Sequence, residues 1–431
     1  MSSEWRSATI EEIAEKIAMG PFGSNIKVNT FVEDGVPIIS GAHLRGVRLH
    51  DGDFNFVTEE HAARLTNSNV FRGDIIFTHA GNIGQVAYIP INSRYSRYVI
   101  SQRQFYLRCD LSSAAPEFIT YFFHSRDGQH KLLANASQTG VPSIARPSSY
   151  LKSLEFSLPP LAEQKAIAHI LGTLDDKIEL NRKTNETLEA MAKALFKSWF
   201  VDFDPVRAKA EGRPTGLPDE VSDLFPDSFE DSELGEIPSG WEVQSIGEIS
   251  INYDSKRVPV SGNDRAKRKG TFPYYGATGI VDWIDDFLFD GTYLLIGEDG
   301  SVEKDDGTAF SQYVSGKIWV NNHAHVVIGT NGVTTEQLYL YLQFIQVAPY
   351  VTGAVQLKIS QGRLNSIPVV VAPIALNNYF SGIVQELFGQ RIAIEREQSS
   401  LALIRDTLLP KLISGEIRIP DAEKLLEEVG I

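Results

Sequence analysis

Two short runs of the sequence resemble parts of known catalytic motifs, but each lacks a residue that the chemistry requires. The run Leu158-Pro159-Pro160 has leucine where amino-methyltransferases place Asp or Asn, and leucine cannot accept a hydrogen bond from an amino group. The run Gly316-Lys317-Ile318 lacks the Ser or Thr that follows Gly-Lys in a phosphate-binding loop. Neither segment predicts a catalytic site.

The remaining candidates for chemistry are two histidines and the single cysteine. His323 and His325 are two positions apart, so on a strand they would share a face. No Cys or carboxylate stands at ligand spacing beside them, and we predict no metal site. Cys109 has no motif around it, which predicts an inert buried thiol and excludes an intrachain disulfide. The sequence therefore predicts no catalytic residue and no metal ligand.

Length and composition indicate a globular protein of several domains. The chain has 431 residues, of which 42% are hydrophobic and 22% charged, and about 100–200 residues per domain gives two to four domains. No apolar stretch follows the start at Met1, and the run Val369–Ala372 is stopped by Pro373. We expect neither a signal peptide nor a membrane span, and so a cytoplasmic protein.

The net charge of −15 argues against a protein that coats nucleic acid by itself, because phosphate binding depends on Lys and Arg. The charge is uneven along the chain. Residues 202–236 carry eleven acidic side chains against three basic ones, whereas residues 256–269 carry six basic side chains and one acidic. Local charge is therefore more informative than the total.

The sequence repeats itself with a long period. Trp5 is followed by Ile10 and Ile13, and the same spacing recurs 236 positions later at Trp241. Val36–Ile39 matches Phe272–Tyr275 at the same offset. Towards the end of each half the offset falls to 213, where Leu151, Ser153-Leu154 and Pro160-Leu161 match Leu364, Ser366-Ile367 and Pro373-Ile374. Matches in one order with one change of offset predict an internal duplication.

Each half consists of a globular block followed by a long helix. The blocks, residues 1–158 and 237–371, contain short apolar runs separated by Gly-rich turns, which predicts a strand-rich α+β fold. Residues 159–201 and 372–415 follow a heptad pattern instead. The predicted helix-pair seam is formed by Ile167, Leu171, Leu174, Ile178, Asn181, Asn185, Leu188, Leu195 and Trp199, and by Leu387, Ile394, Leu401, Leu408 and Leu412.

The length of the two stripes favours helices that pack on each other, although each could instead be buried against its own block. A pseudo-two-fold axis between equivalent halves makes the helices antiparallel and separates the two blocks. DNA has dyads perpendicular to its axis, and two-fold DNA-binding proteins contact half-sites whose spacing matches their own. The blocks differ in sequence, so two different half-sites are expected.

Six segments carry a family resemblance: Leu158–Gln164, Leu174–Ile178, Leu195–Phe203, Leu408–Ile417, Gly20–Ser24 and Ser360–Leu364. The first four resemble the helical regions of the specificity (S) subunits of type I restriction-modification systems. The last two are similar to stretches common in the target-recognition domains of that family. The second copy departs at Ala372–Asn377, which replaces Pro-Pro-Leu-x-Glu-Gln, so the equivalent helix-start contacts are in question there.

The resemblance implies a non-catalytic subunit that binds double-stranded DNA. It implies two target-recognition domains separated by a pair of long antiparallel coiled-coil helices, with two methyltransferase (M) subunits bound along the helices. Two restriction (R) subunits would complete an ATP-dependent endonuclease. Adenine-N6 methylation, S-adenosylmethionine, ATP and magnesium would belong to these partners, and no membrane is involved.

Candidate DNA contacts come from the blocks. Residues 256–269 contain Pro259, Gly262 and Asn263 and are interpreted as a basic loop that contacts phosphates or guanine edges, or else as a solvated loop without a partner. On a strand, Gln102 and Gln104 would share one face. The candidates are Arg45, Arg48, Gln102, Arg103, Gln104, Lys256, Arg257, Arg265, Lys267, Arg268 and Lys269.

The connecting segments complete the organisation. Residues 202–236 are interpreted as a solvated acidic linker and residues 416–431 as a tail. The alternative function is a coiled-coil scaffold whose two domains bind ligands other than DNA, which the heptads and the duplication alone would permit.

Overall fold

Short apolar runs separated by turn residues form short strands in the first block. The structure, a computed structural model, describes residues 5–23, 25–137, 139–353, 355–428 and 430; Ser24 of the Gly20–Ser24 motif and the two tail residues Val429 and Ile431 lie outside this set. The strands are β1 (Arg6–Thr9), β2 (Ala14–Met19), β3 (Val36–Ile39), β4 (Asn55–Val57), β5 (Asn69–Phe71), β6 (Ile75–Thr78), β7 (Val86–Tyr88), β8 (Arg97–Ile100), β9 (Gln104–Cys109), β10 (Ala136–Ser137), β11 (Ser143–Ile144) and β12 (Glu155–Leu158). The helices are α1 (Glu59–Arg64), α2 (Pro116–His124), α3 (Arg126–Leu133) and α4 (Pro147–Lys152).

Two four-stranded sheets form this block. One has the antiparallel order β2-β9-β6-β7, and the other has the order β4-β3-β8-β5 with a parallel pair between β3 and β8. Strands β1 and β12, at the two ends of the block, pair with each other. The chain therefore enters and leaves the block through one two-stranded neck.

The first long helix, α5 (Leu161–Phe196), starts directly after this neck and continues into a π-helical turn at Lys197–Val201. Gly and Pro are absent from its interior except for Gly172, so the helix runs without a break.

The acidic segment after α5 is folded, and its interpretation as a solvated linker is wrong. It forms α6 (Asp204–Ala210), α7 (Asp219–Ser222) and a hairpin of β13 (Phe229–Ser232) and β14 (Gly235–Pro238). Val206 and Phe225 are buried in the core of the second half. Most of its carboxylates are exposed, and the few apolar residues between them determine the structure.

The second block is organised around one larger sheet. Its strands are β15 (Glu242–Ser245), β16 (Ser250–Asn252), β17 (Lys269–Tyr275), β18 (Ile280–Ile284), β19 (Phe289–Gly297), β20 (Ser311–Val320), β21 (Ala324–Gly329) and β22 (Pro368–Val371). Its helices are α8 (Gly262–Lys267), α9 (Thr335–Leu342) and α10 (Gln361–Asn365). The sheet order is β16-β21-β19-β20-β17-β18, in which β20 pairs with both β19 and β17 and so joins the two sheets that are separate in the first block.

The second long helix is α11 (Ile374–Ser414), and a short helix α12 (Ile419–Glu428) follows it. Ala422 and Leu426 of α12 are buried in the core of the first half, so much of the predicted tail is a packed element. Within the described residues, no helix combines the length and apolarity that crossing a membrane requires.

The duplication is confirmed in the backbone. The second neck, β15 with β22, lies 236 positions after β1 and 213 positions after β12, which are the two offsets found in the sequence. The main-chain N–H of Ile10 donates to the Leu154 carbonyl, and that of Ile246 donates to the Ile367 carbonyl. The predicted α+β class with duplicated strand-rich domains is therefore confirmed.

The chain divides into two units, residues 1–179 with 399–431 and residues 180–398, and the helices are antiparallel in each. In the first unit Asp175 of α5 contacts Arg405 of α11, at 2.8 Å. In the second unit Asn181 of α5 donates to Glu397 of α11, also at 2.8 Å. Further along α5, Glu189 lies 3.5 Å from Arg391. The residue numbers of the contacts in α11 fall as those in α5 rise, which confirms the predicted antiparallel pair.

Each helix pair carries a matching polar contact to its block. The Tyr121 hydroxyl donates to Asp175 at 2.6 Å in the first unit, and the Tyr339 hydroxyl donates to Glu189 at 2.7 Å in the second. Burial raises the pKa of both phenols, so they remain hydrogen-bond donors. In both units a tyrosine of the block, a carboxylate of α5 and an arginine of α11 meet.

At the starts of α5 and α11, different amide side chains hydrogen-bond to the backbone just before the helix. Gln164 is fully buried; its Nε2 donates to the Pro159 carbonyl at 2.9 Å, and its Oε1 accepts from the main-chain N–H of Ala115 at 2.9 Å. The shorter Asn377 donates to the Ala372 carbonyl at 2.8 Å, and the Gln337 side chain donates to its Oδ1 at 2.8 Å. The departure at Ala372–Asn377 is compensated by a second amide.

We expect Gln164→Ala to lower the free energy of unfolding by about 1–3 kcal/mol for each buried polar group that it leaves unpaired. Guanidinium denaturation of the full chain measures this loss. Lys165→Ala, at the next and exposed position, is the control and should have little effect. Equal stability of the two variants would show that the Gln164 hydrogen bonds contribute nothing.

Candidate nucleic-acid interface

Three segments of the first block meet beyond the end of β6. The main-chain N–H of His79 donates to the Arg103 carbonyl, and the His79 carbonyl accepts from Ile144, both at 2.9 Å. The N–H of Gly81 donates to the Pro142 carbonyl at 2.9 Å. We name residues 79–84, 101–104 and 139–144 the first recognition edge.

The second block has the same arrangement. The N–H of Glu298 donates to the His323 carbonyl, and the Glu298 carbonyl accepts from Ile359, both at 2.9 Å. The N–H of Gly300 donates to the Leu357 carbonyl at 2.9 Å. We name residues 298–303, 321–324 and 355–359 the second recognition edge. The two edges therefore have equivalent main-chain hydrogen bonds, each within its own block.

Gln102 and Arg103 form the exposed tip of the first edge. They occupy the tight turn between β8 and β9, closed by the N–H of Gln104, which donates to the Ser101 carbonyl at 3.1 Å. Gly81 has a φ of +86°, and a Cβ there would lie 3.3 Å from Arg103 Nη1, so glycine leaves room for the guanidinium. Both exposed side chains are suited to base edges.

The prediction for Gln104 is wrong. Its side chain is 1% exposed, and its Oε1 accepts a hydrogen bond from the Ser101 hydroxyl inside the block. Gln102 and Gln104 do not share a face, because the chain turns at Gln102 and extends as a strand only from Gln104.

In the second edge, Asn322 and His323 occupy the turn equivalent to Gln102 and Arg103, and both are exposed. The His323 Nδ1 contacts the carboxylate of Asp299. Lys358 Nζ lies 3.1 Å from Glu298 Oε1. An amide and an imidazole thus stand where the first edge carries an amide and a guanidinium.

Neither of the two repeat offsets, 236 and 213, aligns these two turns. The turn recurs at an offset of 220, where no residue of Ser101–Gln104 is repeated in Asn321–Ala324. The signal available was the strand–turn–strand pattern on either side. Asn322, His323 and Lys358 are therefore candidate residues that only the structure identifies.

A buried charge cluster supports the second edge. His325 Nδ1 lies 2.5 Å from Asp254 Oδ2, and Arg257 Nη1 lies 2.7 Å from Glu298 Oε2. Although burial raises the pKa of Asp254, the hydrogen bond and charge of His325 and the charge of Arg257 hold it below its usual value. The pKa of Glu298 is lowered in the same way, chiefly by the hydrogen bond from Arg257.

The geometry of this cluster fits an ion pair better than a metal site. Three ligand-type groups, Asp254, Glu298 and His325, converge, but the Arg257 guanidinium contacts both carboxylates. Carboxylates therefore lie near His325, contrary to the sequence expectation, while His323 belongs to a different pair. The two histidines do not share a site, because His323 lies in the turn before β21 and His325 within that strand.

The basic segment 256–269 is not a free loop. It contains α8, and its three arginines pair with carboxylates: Arg257 with Glu298, Arg265 with Asp282 at 3.2 Å, and Arg268 with Asp285 at 2.9 Å. Arg257 is only 12% exposed and its guanidinium is paired within the block, so the structure gives its predicted DNA contact no support.

The three lysines of the segment are exposed, and their predicted DNA contacts remain untested. Lys267 is 79% exposed, Lys269 is 62% exposed and lies 2.6 Å from Asp282, and Lys256 lies over the Tyr253 ring. These side chains are positioned to reach solvent, unlike Arg257.

The other two candidate arginines of the first block, Arg45 and Arg48, make different contacts. Arg45 is exposed and donates to the Ala42 carbonyl at 2.8 Å. Arg48 pairs with Asp176 of α5 and donates to the Tyr88 hydroxyl at 3.1 Å. The hydrogen bond to Asp176 raises the pKa of the Arg48 guanidinium. Arg48 thus ties the block to the helix.

The predicted seam residues of α5 and α11 lie inward. The first unit's core contains Ile167, Leu171 and Leu174 together with Leu401, Leu408 and Leu412, and Ile178 packs at its edge. The second unit's core contains Trp199, with Leu195 and Leu387 packed against it. Asn181 and Leu188 are buried, while Asn185 and Ile394 are half-buried.

The family model for the type I restriction modification DNA specificity domain matches residues 2–190 and 238–400. This covers most of the chain and both copies of the duplication. The chain belongs to this family: it is a DNA specificity subunit of the type I restriction-modification class.

Known specificity subunits are similar to this chain over most of their length. The chain is 26% identical to the type I restriction enzyme MjaIX specificity subunit of Methanocaldococcus jannaschii, covering 97% of this chain and 94% of that protein. It is 25% identical to the HindI specificity subunit of Haemophilus influenzae, covering 80% and 87%. A solved S subunit from M. genitalium has a similar fold, with a TM-score of 0.57 at 19% identity, over 95% of this chain and 96% of that one.

We expect Asp254→Asn to destabilise the protein by about 3 kcal/mol at pH 7, because it removes the carboxylate charge that the Arg257 guanidinium and the His325 ring contact. The folded-state pKa of Asp254 is lowered, so its contribution is present above the ordinary value of 3.8 and is lost as the pH falls through the folded-state value. The stability difference from wild type should therefore shrink below about pH 4.

Chemical denaturation between pH 3 and 7 measures this difference. Asp290→Asn, at an exposed position of β19, is the matched control. A pH-independent difference would show that the charge of Asp254 is not responsible.

Proposed function

We propose that each recognition edge reads one half of a bipartite, asymmetric DNA site. The observation that carries this proposal is that both edges have the same main-chain hydrogen bonds but different exposed side chains, Gln102 and Arg103 against Asn322 and His323. A frame built twice with different reading groups suits recognition of two different sequences.

The exposed side chains of the two blocks would contact either base edges or phosphates. Arg103 can donate two hydrogen bonds to guanine O6 and N7, and Gln102 or Asn322 can pair with adenine N6 and N7. Lys256, Lys267 and Lys269 would contact phosphates, which position the protein without reading sequence. Arg45 is a further candidate of the first block.

The two long helices would set the distance between half-sites and bind two methyltransferase subunits. Their support is the continuous α5 and α11, each shared between the cores of both units. Two restriction subunits would join the assembly through the same complex. The names of the relatives, which are specificity subunits of type I restriction enzymes, support this assembly.

The chain itself would be non-catalytic. Cys109 is buried and its thiol pKa is raised by burial, which makes it a poor nucleophile. S-adenosylmethionine, ATP and magnesium would be held by the partner subunits. The alternative, a scaffold for ligands other than DNA, has no support from the family match.

We expect Arg103→Ala to relax or abolish recognition of one half-site and leave the other unchanged, while His323→Ala affects only the other half. The measurement is methylation mapping of genomic DNA from cells that co-express the chain with its methyltransferase subunits. Arg6→Ala, an exposed residue of the first neck, is the control and should leave the site intact. Loss of both halves in either variant would contradict separate reading.

We expect the insertion of seven residues into each long helix, at positions that face each other, to lengthen the gap between half-sites. Seven residues add about 10 Å of helix, or about three base pairs at 3.4 Å per base pair. Methylation mapping reads out the gap and both half-sites. A changed half-site sequence at an unchanged gap would show that the helices do not set the spacing.

A further inference from the structure

The loop after β2 lies directly against the first recognition edge. The N–H of Gly20 donates to the Gln104 carbonyl at 2.8 Å. A Cβ at Gly20 would lie only 2.1 Å from the Ser101 carbonyl oxygen, so the backbones touch and only glycine fits. At the far end of the loop, the Asn25 carbonyl accepts from His61 Nε2 at 2.7 Å. The described residues of this loop are therefore anchored at both ends.

Between these anchors stands an aromatic ring without apolar cover. Pro21 is buried, whereas the neighbouring Phe22 is 75% exposed. An exposed phenyl ring two residues from a close backbone contact is not explained by packing, because large aromatic side chains normally bury most of their surface. The Gly20 backbone, two residues before the ring, contacts Ser101 and Gln104, which flank the exposed tip of the first edge.

A groove of about 510 Å³ runs beside the ring. Its lining includes Phe22, the cations Lys16 and Arg64, and the polar side chains of Asn67 and Ser148. The Ser148 hydroxyl has a buried oxygen with no hydrogen-bond partner among the described residues. An aromatic ring beside two cations fits a base step and its phosphates, because bases stack on aromatic rings and phosphates bind cations.

We propose that Phe22 is an apolar wedge that packs into a base step at the half-site read by the first edge. The ring partly unstacks that step, and Lys16 and Arg64 bind the phosphates beside it. Apolar wedges of this kind kink DNA and extend its contact with the protein. This inference rests on the proposed function, since it assumes that the first edge faces DNA.

The test uses the full chain in complex with its methyltransferase subunits. The probe is a duplex that carries the mapped site, with thymines placed at the positions flanking the first half-site. Permanganate reactivity of these thymines reports unstacking, and the thymine opposite the methylated adenine is left out. Filter binding on the same duplex gives the dissociation constant.

We expect Phe22→Ala to raise the dissociation constant by about 5- to 150-fold, the range for loss of one stacked base, and to abolish the permanganate reactivity. Phe22→Trp should retain both. Ile91→Ala, which removes an equally exposed side chain (80%) from the turn after β7, is the matched control and should change neither.

Three outcomes would overturn the wedge. Wild-type affinity of Phe22→Ala while Arg103→Ala binds poorly would reject the wedge and leave the proposed function standing. Normal binding of both variants would reject DNA reading by the first edge altogether. Reduced co-purification of methyltransferase subunits with Phe22→Ala would show that the ring contacts protein instead.

Discussion

The burial of two long apolar stripes is the constraint on which this protein is built. Each stripe exceeds the length that one block can cover, so each helix contributes different halves to two cores. Ile167–Leu174 pack with Leu401–Leu412 in the first unit, and Ala192–Phe200 pack with Phe380–Phe388 in the second. Neither block completes its core without both helices.

The necks and the recognition edges are also built in the same way in both blocks. Equivalent two-stranded necks, β1 with β12 and β15 with β22, hold each block at a helix start, and equivalent main-chain hydrogen bonds hold each recognition edge. Main-chain hydrogen bonds do not depend on side-chain identity, so the exposed residues can differ while the frame stays the same. This separation of frame from exposed groups is what a pair of unlike sequence readers requires.

The sequence predicted the features that depend on periodicity. The heptad stripe predicted the helix pair, and the two offsets predicted the duplication, because apolar spacing reflects the helix and strand periods directly. The contents of the blocks were less predictable. Arg257 was expected at the surface, yet it pairs with Glu298, 41 positions away, and no local pattern reveals such a partner.

Other errors have the same physical origin. Gln104 was placed on an exposed strand face because the turn at Gln102 has no glycine or proline to mark it. The acidic segment was interpreted as a linker because its charge conceals Val206 and Phe225, which anchor it. The turn at Asn322 was missed because a duplicated backbone can keep its shape after every side chain has changed.

The polar contacts between the helices break the symmetry that the fold otherwise keeps. Asp175 and Glu189 both belong to α5, and their partners Arg405 and Arg391 both belong to α11. At the repeat offset of 213, the positions of the two arginines correspond to Ala192 and Ile178. If two copies of α5 met in the same antiparallel manner, each carboxylate would face an alkyl group and lose its guanidinium. The charges thus discriminate against exchange of identical helices between two molecules and favour pairing of α5 with α11 of the same polypeptide.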